Sequence, residues 1–212
     1  MIPNRTSFLV DGFNLYHSVV EASDALGVPV KWLNIRALCE SFLSAFGPDN
    51  VPGEFYYFSA FAYHKTQRDP MVVARHQAFI DCLRNTGIDV QMAKFKRKEI
   101  WCNGCQRKYP HHEEKETDVA LAVKLIDVFD ADRCDTAVLM TGDTDIAPAV
   151  RYVTQRYPAK RTCFLFPYKR KNVELAKLGF ACRISKEHYQ HYQFPDSVTL
   201  KDGSRRVKPP SW

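Results

Sequence analysis

Short apolar runs alternate along the chain with segments in which apolar residues are spaced three and four apart. The short runs predict strands at residues 7–10, 55–61, 88–92, 136–140, 162–166 and 181–184. The longer spacing predicts helices at residues 35–46, 72–83, 116–129, 146–153 and 173–178. Because strands and helices alternate, the pattern predicts an α/β domain with a mainly parallel sheet and helices on both faces.

Two of these helices carry more detailed predictions. Asn34 precedes the first apolar position of the 35–46 helix, so its side chain is expected to cap that helix. The 116–129 helix is expected to bury one face, made of Val119, Ala122, Val123, Ile126 and Phe129.

The length of 212 residues suits one domain, which we place at residues 1–195. Residues 98–115 are interpreted as a small hairpin insertion that contains a CxxC motif. Residues 196–212 are polar, basic and proline-containing, so they are predicted to form a flexible tail.

Several aspartates fall where a parallel sheet would gather them. Asp11 follows the first strand, and Asp143 and Asp145 follow the strand that ends at Met140. In open parallel sheets, ligands bind beyond the carboxyl ends of the strands, where the strand order reverses. If those two strands are neighbours there, their carboxylates converge. Converging carboxylates repel each other unless a cation neutralises them, and hard oxygen ligands favour Mg²⁺ or Mn²⁺.

Each aspartate also has a simpler interpretation. Asp11-Gly12 is a common turn sequence, and Asp118 suits the positive end of a helix dipole. Asp143 and Asp145 suit the turn and cap of the following helix. The set taken together favours a site.

Three segments carry a family resemblance. FLVDGFNLYHS contains Asp11 and Asn14, EEKETDVALAVKLI contains Asp118, and LMTGDTDIAPAVR contains Thr141, Asp143 and Asp145. In this order they resemble the motifs of the NYN domain family, a branch of the PIN-like nucleases. The resemblance implies a PIN-like, Rossmann-like three-layer sandwich. It also implies that the four aspartates bind Mg²⁺ or Mn²⁺, that Asn14 and Thr141 orient ligands or the attacking water, and that the substrate is single-stranded RNA.

The CxxC motif, Cys102 to Cys105, suggests a structural zinc site, for which His111 or His112 would be a third ligand. No second CxxC motif is present, so a plain reduced hairpin is the alternative. The other five cysteines fall in or beside apolar patterns and are predicted to lie in the core.

Two basic segments are candidates for contact with RNA. One contains Lys96 and Arg97, and the other contains Tyr168, Lys169, Arg170 and Lys171. The second segment follows a predicted strand and should lie at the same sheet edge as the aspartates, where lysine and arginine would bind phosphates and Tyr168 would stack on a base. A solvated loop is the alternative. The net charge of +6 agrees with an anionic partner but does not establish one.

Other classes of protein fit less well. A haloacid dehalogenase-type phosphatase needs an aspartate where this chain has Phe13, and neither glycine-rich nucleotide-binding loop is present. The chain has no long apolar run, so no membrane partner is expected, and its odd number of cysteines, seven, suggests a reduced cytoplasmic protein. A noncatalytic RNA-binding or regulatory protein with the same fold remains the alternative function, and a homodimer is possible.

Overall fold

The computed structural model describes residues 3–212 and is organised around a sheet of seven strands. From one edge to the other, the order is β4 (Arg107–Lys115), β3 (Asp89–Cys102), β2 (Asn50–Ala60), β1 (Asn4–Asp11), β5 (Thr136–Met140), β6 (Arg161–Phe166) and β7 (Ala181–Arg183). All neighbouring strands are parallel except β3 and β4, which form an antiparallel hairpin. The predicted fold class is therefore confirmed.

Helices cover both faces of this sheet. They are α1 (Gly12–Leu26), α2 (Ile35–Glu40), α3 (Leu43–Phe46), α4 (Val72–Asn85), α5 (Thr117–Asp130), α6 (Ala147–Arg156) and α7 (Lys186–His191). Side chains of a strand point alternately to opposite faces, so Phe8 and Val10 enter the core beneath α1, α2 and α4, whereas Leu9 enters the core beneath α5 and α6. The result is a three-layer sandwich with two separate apolar cores.

The predicted cap of the second helix is present. The Asn34 side chain accepts a hydrogen bond from the Ala37 amide at 3.1 Å. The predicted 35–46 helix is divided into α2 and α3, however, because residues 41 and 42 adopt a turn between them.

The predicted buried face of α5 is correct at Phe129 but wrong at Val119 and Val123, which are 66% and 59% exposed. The helix instead buries Leu121, Leu125 and Val128, and Ala122 and Ile126 are partly buried. Apolar residues occur on nearly all sides of this helix, so two different faces have apolar residues at helical spacing. Which of the two faces is buried depends on how α5 is oriented against the sheet.

The predicted helix at residues 173–178 is reduced to one 3-10 turn, Leu175–Lys177. Gly179, which follows this turn, packs closely on β6: a Cβ atom at Gly179 would lie 2.3 Å from the Thr162 carbonyl oxygen. Because the backbone already contacts β6 at this point, there is no room for the 3-10 turn to continue as a longer helix.

The prediction of a flexible tail at residues 196–212 is also wrong. Here β8 (Ser197–Thr199) and β9 (Arg205–Val207) form a hairpin. The Trp212 ring packs against Trp32 and Phe79, with centroids 6.2 and 5.7 Å apart, and Arg206 pairs with Asp81. A few anchoring side chains hold a segment whose composition is otherwise polar.

Within residues 3–212, no helix combines the length and the apolar character needed to cross a bilayer.

Candidate active site

The strand order reverses between β1 and β5. The two strands are parallel neighbours, with Val10 opposite Met140, so their carboxyl ends reach the same edge together. The helices that follow them, α1 and α6, pack on opposite faces of the sheet. This is the crevice in which open α/β sheets bind their ligands.

Asp11 is fixed at the end of β1 by three donors. One carboxylate oxygen accepts the amides of Phe13 and Asn14, both at 3.0 Å, and thereby caps α1. The other accepts the Thr141 hydroxyl at 2.8 Å. Burial raises the pKa of Asp11, while the bonds from Asn14 and Thr141 act in the opposite direction.

Gly12 permits this arrangement. A Cβ atom at this position would lie 2.5 Å from the Phe58 carbonyl oxygen. Only glycine therefore allows α1 to begin directly against the end of β2.

Asn14 and Thr141 connect Asp11 to the loop after β5. The Asn14 side-chain oxygen accepts the Gly142 amide at 3.0 Å, and the Thr141 hydroxyl oxygen accepts the Asp143 amide at 3.1 Å. Asp143 in turn accepts the Asp145 amide at 3.0 Å. One chain of hydrogen bonds thus links five of the six residues predicted for this site.

The sixth residue, Asp118, lies in the first turn of α5. Desolvation of the carboxylate by the surrounding protein, followed by repulsion from Asp11, Asp143, Glu114 and Asp145, raises the pKa of Asp118 to about 6. This repulsion shows that the four predicted aspartates share one region, which we call the carboxylate cluster (Asp11, Asp118, Asp143 and Asp145).

Glu114 is an acidic neighbour that the sequence analysis missed. Its carboxylate accepts the Thr117 amide, the first amide of α5, at 3.0 Å. No local sequence signal marks this residue, because the preferred capping position directly before the helix is occupied by Glu116, whose side chain forms no cap hydrogen bond.

Among residues 3–212, no basic side chain forms an ion pair with the carboxylate cluster. Its oxygen donors suit a hard divalent cation. In the described part of the chain, however, no three side chains of metal-binding type are arranged to hold an ion. Asp118, Asp143 and Asp145 are exposed and so have room to change rotamer.

The comparison with known families decides the classification. The family model described as "NYN domain" matches residues 5–178. The chain belongs to the NYN domain family. Domains of this family have a PIN-like nuclease fold and are generally nucleases.

A solved structure supports the same fold. A protein of unknown function from Vibrio parahaemolyticus is 18% identical, with a TM-score of 0.53, over 86% of this chain and 94% of that one. No curated protein matches the chain.

In this NYN domain, the loop after β6 contains the second basic segment and lies against the loop after β5. A Cβ atom on Gly142 would lie 2.1 Å from the Arg170 carbonyl oxygen. Arg170 itself pairs with Glu21, whereas Lys169 and Lys171 are exposed. Tyr168 is half-buried and packs against the core.

The first basic segment lies on the other side of the cluster. Lys96 is on β3 and pairs with Glu116 at 3.3 Å, just before α5, while Arg97 is exposed opposite His112. Basic residues of the NYN domain therefore flank the carboxylate cluster on both sides.

The CxxC motif lies at the tip of the β3–β4 hairpin, residues 102–105. Hydrogen bonding from the Cys105 amide lowers the pKa of the Cys102 thiol. Cys102 lies opposite Arg107 in the hairpin. His111 is four positions further along β4 than Arg107, opposite Lys98. This spacing corresponds to roughly 14 Å along a strand, too far for a shared zinc ion. The expected third ligand is therefore not near the cysteines.

Proposed function

We propose that this NYN domain is a metal-dependent ribonuclease that hydrolyses phosphodiester bonds of single-stranded RNA. The observation that carries the proposal is the convergence of four aspartates from three separate chain segments on the strand-order reversal, without a basic partner among residues 3–212. A structural role for these residues would be expected to include counter-charges.

The residues of the cluster would have different parts in holding Mg²⁺ or Mn²⁺. Asp11 is buried and immobilised by three hydrogen bonds, so it provides a fixed oxygen ligand. Asp118, Asp143 and Asp145 are exposed and would complete the set. A bound divalent ion supplies the positive charge that stabilises the attacked phosphate and the leaving oxygen.

Asn14 and Thr141 position the cluster. Each bonds to the loop after β5, and Thr141 also donates to Asp11. They keep the loop that contains Asp143 at a fixed place relative to Asp11. Preorganisation of this kind is what a catalytic site requires, because a displacement of one ångström is costly.

RNA contact is proposed for the flanking basic residues. Lys169 and Lys171 are exposed at the same sheet edge, and Arg97 is exposed on the hairpin. Their charges would attract the phosphate backbone regardless of base sequence. The family to which the chain belongs is the reason for preferring a nucleic-acid substrate to another anion.

A noncatalytic RNA-binding or regulatory protein is the second candidate. One observation favours it: no three side chains of metal-binding type within residues 3–212 are arranged to hold an ion. In that case the basic residues would bind RNA and the carboxylate cluster would do no chemistry.

An RNA cleavage assay distinguishes the two candidates. Labelled single-stranded RNA is incubated with the chain and Mn²⁺, Mg²⁺ or a chelator, beside the Asp143→Asn and Asp24→Asn variants. Asp24 is an exposed aspartate of α1 outside the cluster, so its variant removes the same charge elsewhere. We expect cleavage with metal that falls at least about 100-fold in Asp143→Asn and is unchanged in Asp24→Asn. RNA binding without cleavage under any condition would support the noncatalytic candidate.

A further inference from the structure

A second charged region lies at the same edge of the sheet as the carboxylate cluster, at the carboxyl ends of β6 and β7. It is an open cavity of about 510 Å³, and its polar lining includes Lys169, Lys171, Arg183 and Ser185. We call it the basic pocket. Of the described residues that line it, three have cationic side chains and none is acidic.

The cations of the basic pocket, Lys169, Lys171 and Arg183, have no ion-pair partner in the part of the chain that the structure describes. Arg170, which lies between the two lysines in sequence, instead pairs with Glu21 on α1 and does not line the pocket. Three like charges around one cavity repel each other, and an anion in the cavity would relieve that repulsion.

The loop that carries the two lysines is held in place. The Ser18 hydroxyl donates to the Tyr168 carbonyl oxygen at 2.8 Å, and the Tyr168 amide donates to the Tyr189 hydroxyl oxygen at 3.2 Å. Because Tyr189 is fully buried, this anchor is rigid. The lysines are therefore presented from a fixed backbone, which lowers the entropic cost of binding.

The backbone at Lys169 adds a further observation. Its φ angle is +59°, in the left-handed region that favours glycine. A lysine here is conformationally disfavoured, yet its side chain is one of the three cations of the pocket.

We propose that the basic pocket binds an internal backbone phosphate of the RNA strand whose scissile phosphate lies at the carboxylate cluster. This proposal rests on the function proposed above. The pocket lies between β6 and β7, two strand spacings from the gap between β1 and β5, or about 10 Å along the sheet edge. An extended single strand spans such a distance within a few nucleotides. The pocket is open, as a phosphate with chain continuing on both sides requires.

The test measures binding separately from cleavage. Fluorescence anisotropy with two single-stranded RNAs of the same sequence, one with a 5′-hydroxyl and one with a 5′-phosphate, is carried out in chelator, which removes the metal that cleavage needs. The test variant is Lys171→Ala/Arg183→Ala. The matched control is Lys201→Ala/Arg205→Ala, which removes the same two charges from the β8–β9 hairpin. This hairpin forms hydrogen bonds with Asn85, the last residue of α4, shortly before β3 begins. It therefore lies at the amino ends of the parallel strands, whereas the basic pocket lies at their carboxyl ends.

We expect the test variant to bind on the order of tenfold more weakly than the control. The slope of log binding constant against log salt concentration should become shallower by about 0.7 for each phosphate that the variant no longer neutralises. Lys169→Gly serves as a second variant, because glycine suits the backbone there and the chain should fold at least as well. It should also weaken binding. Equal affinity and salt dependence in all variants would overturn the proposal.

Two further outcomes separate the possible ligands and functions. A loss of affinity only for 5′-phosphorylated RNA would assign the pocket to a terminal phosphate and overturn the internal-phosphate proposal. Weaker binding by the test variant, in a chain that never cleaves RNA, would reject the nuclease function and retain the pocket. An unmodified chain that does not bind RNA would overturn both.

Discussion

The carboxylate cluster and the tip of the β3–β4 hairpin each gather residue types that bind metals, but they are built differently. The cluster draws its residues from the ends of β1 and β5 and the start of α5, far apart in sequence. Hydrogen bonds link Asp11, Thr141 and Asp143. The tip takes Cys102 and Cys105 from one exposed turn, and the nearest predicted histidine ligand lies along the strand, away from it.

Local spacing alone therefore does not make a metal site. A CxxC turn brings two sulfur atoms together, but the fold must supply the remaining ligands. The residues of the carboxylate cluster come from three chain segments that are far apart in sequence, so their spacing does not predict a site. The parallel sheet nevertheless brings these three segments together at the carboxyl ends of its strands. Four experiments test or sharpen this contrast.

The largest expected effect is on RNA cleavage. Asp118→Asn should lower metal-dependent cleavage at least about 100-fold, because it removes a proposed metal ligand. Cys102→Ser/Cys105→Ser should leave the rate within about twofold. Initial rates with saturating Mn²⁺ measure both. A comparable loss in the cysteine variant would place the hairpin tip in the site and remove the contrast.

The next effect is on folding stability and compares two glycines. Gly142→Ala places a Cβ atom 2.1 Å from the Arg170 carbonyl oxygen, whereas the nearest atom to such a Cβ on Gly104, at the hairpin tip, is 3.9 Å away. We expect Gly142→Ala to cost about 2 kcal/mol, or roughly 4–8 °C in Tm, and Gly104→Ala to cost little. Thermal unfolding measures both. Equal melting temperatures would show that the loop after β5 yields easily and is not tightly packed.

A smaller effect concerns pH in metal-free protein. The pKa of Asp118 is raised to about 6 in the folded chain from an ordinary value of 3.8, so the folded state binds this proton more tightly than the unfolded state. The contribution of Asp118 to stability therefore falls as pH rises from 3.8 to 6, and stays low above that. Asp118→Asn removes this penalty.

The variant should accordingly melt higher than the unmodified chain at pH 7.5. The side chain is exposed, so the gain should be no more than about 3 °C, and it should vanish near pH 4. Melting curves across this range provide the measurement. A variant that melts lower at pH 7.5 would make Asp118 a structural residue.

The smallest expected effect concerns zinc. Elemental analysis of the purified chain should find no stoichiometric zinc, and a chelator should not change its Tm, because no third ligand among residues 3–212 lies near Cys102 and Cys105. About one tightly held zinc ion per chain would show that the hairpin tip acquires ligands, for instance from a second copy.

The fold class follows from the sequence because the apolar spacing marks the six parallel strands of the sheet and the helices α2, α4, α5 and α6. Asp11, Asp143 and Asp145 can be predicted as a set because a parallel sheet brings the residues after neighbouring strands to the same end, whereas Asp118, in the first turn of α5, is predicted only from the family resemblance. Spacing does not settle the face of α5, since Leu121 and Val119 both belong to apolar helical stripes. It also misses the C-terminal hairpin, where the anchoring contact of Trp212 with Trp32 joins residues distant in sequence.

A metal site at the carboxylate cluster should bind Mn²⁺ without RNA. Free Mn²⁺ is measured by electron paramagnetic resonance during titration of the unmodified chain, Asp143→Asn and Asp24→Asn at pH 7.5. We expect saturable binding that weakens more than tenfold in Asp143→Asn and is unchanged in Asp24→Asn. Equal binding by all three, or none by any of them, would contradict a metal site at the carboxylate cluster.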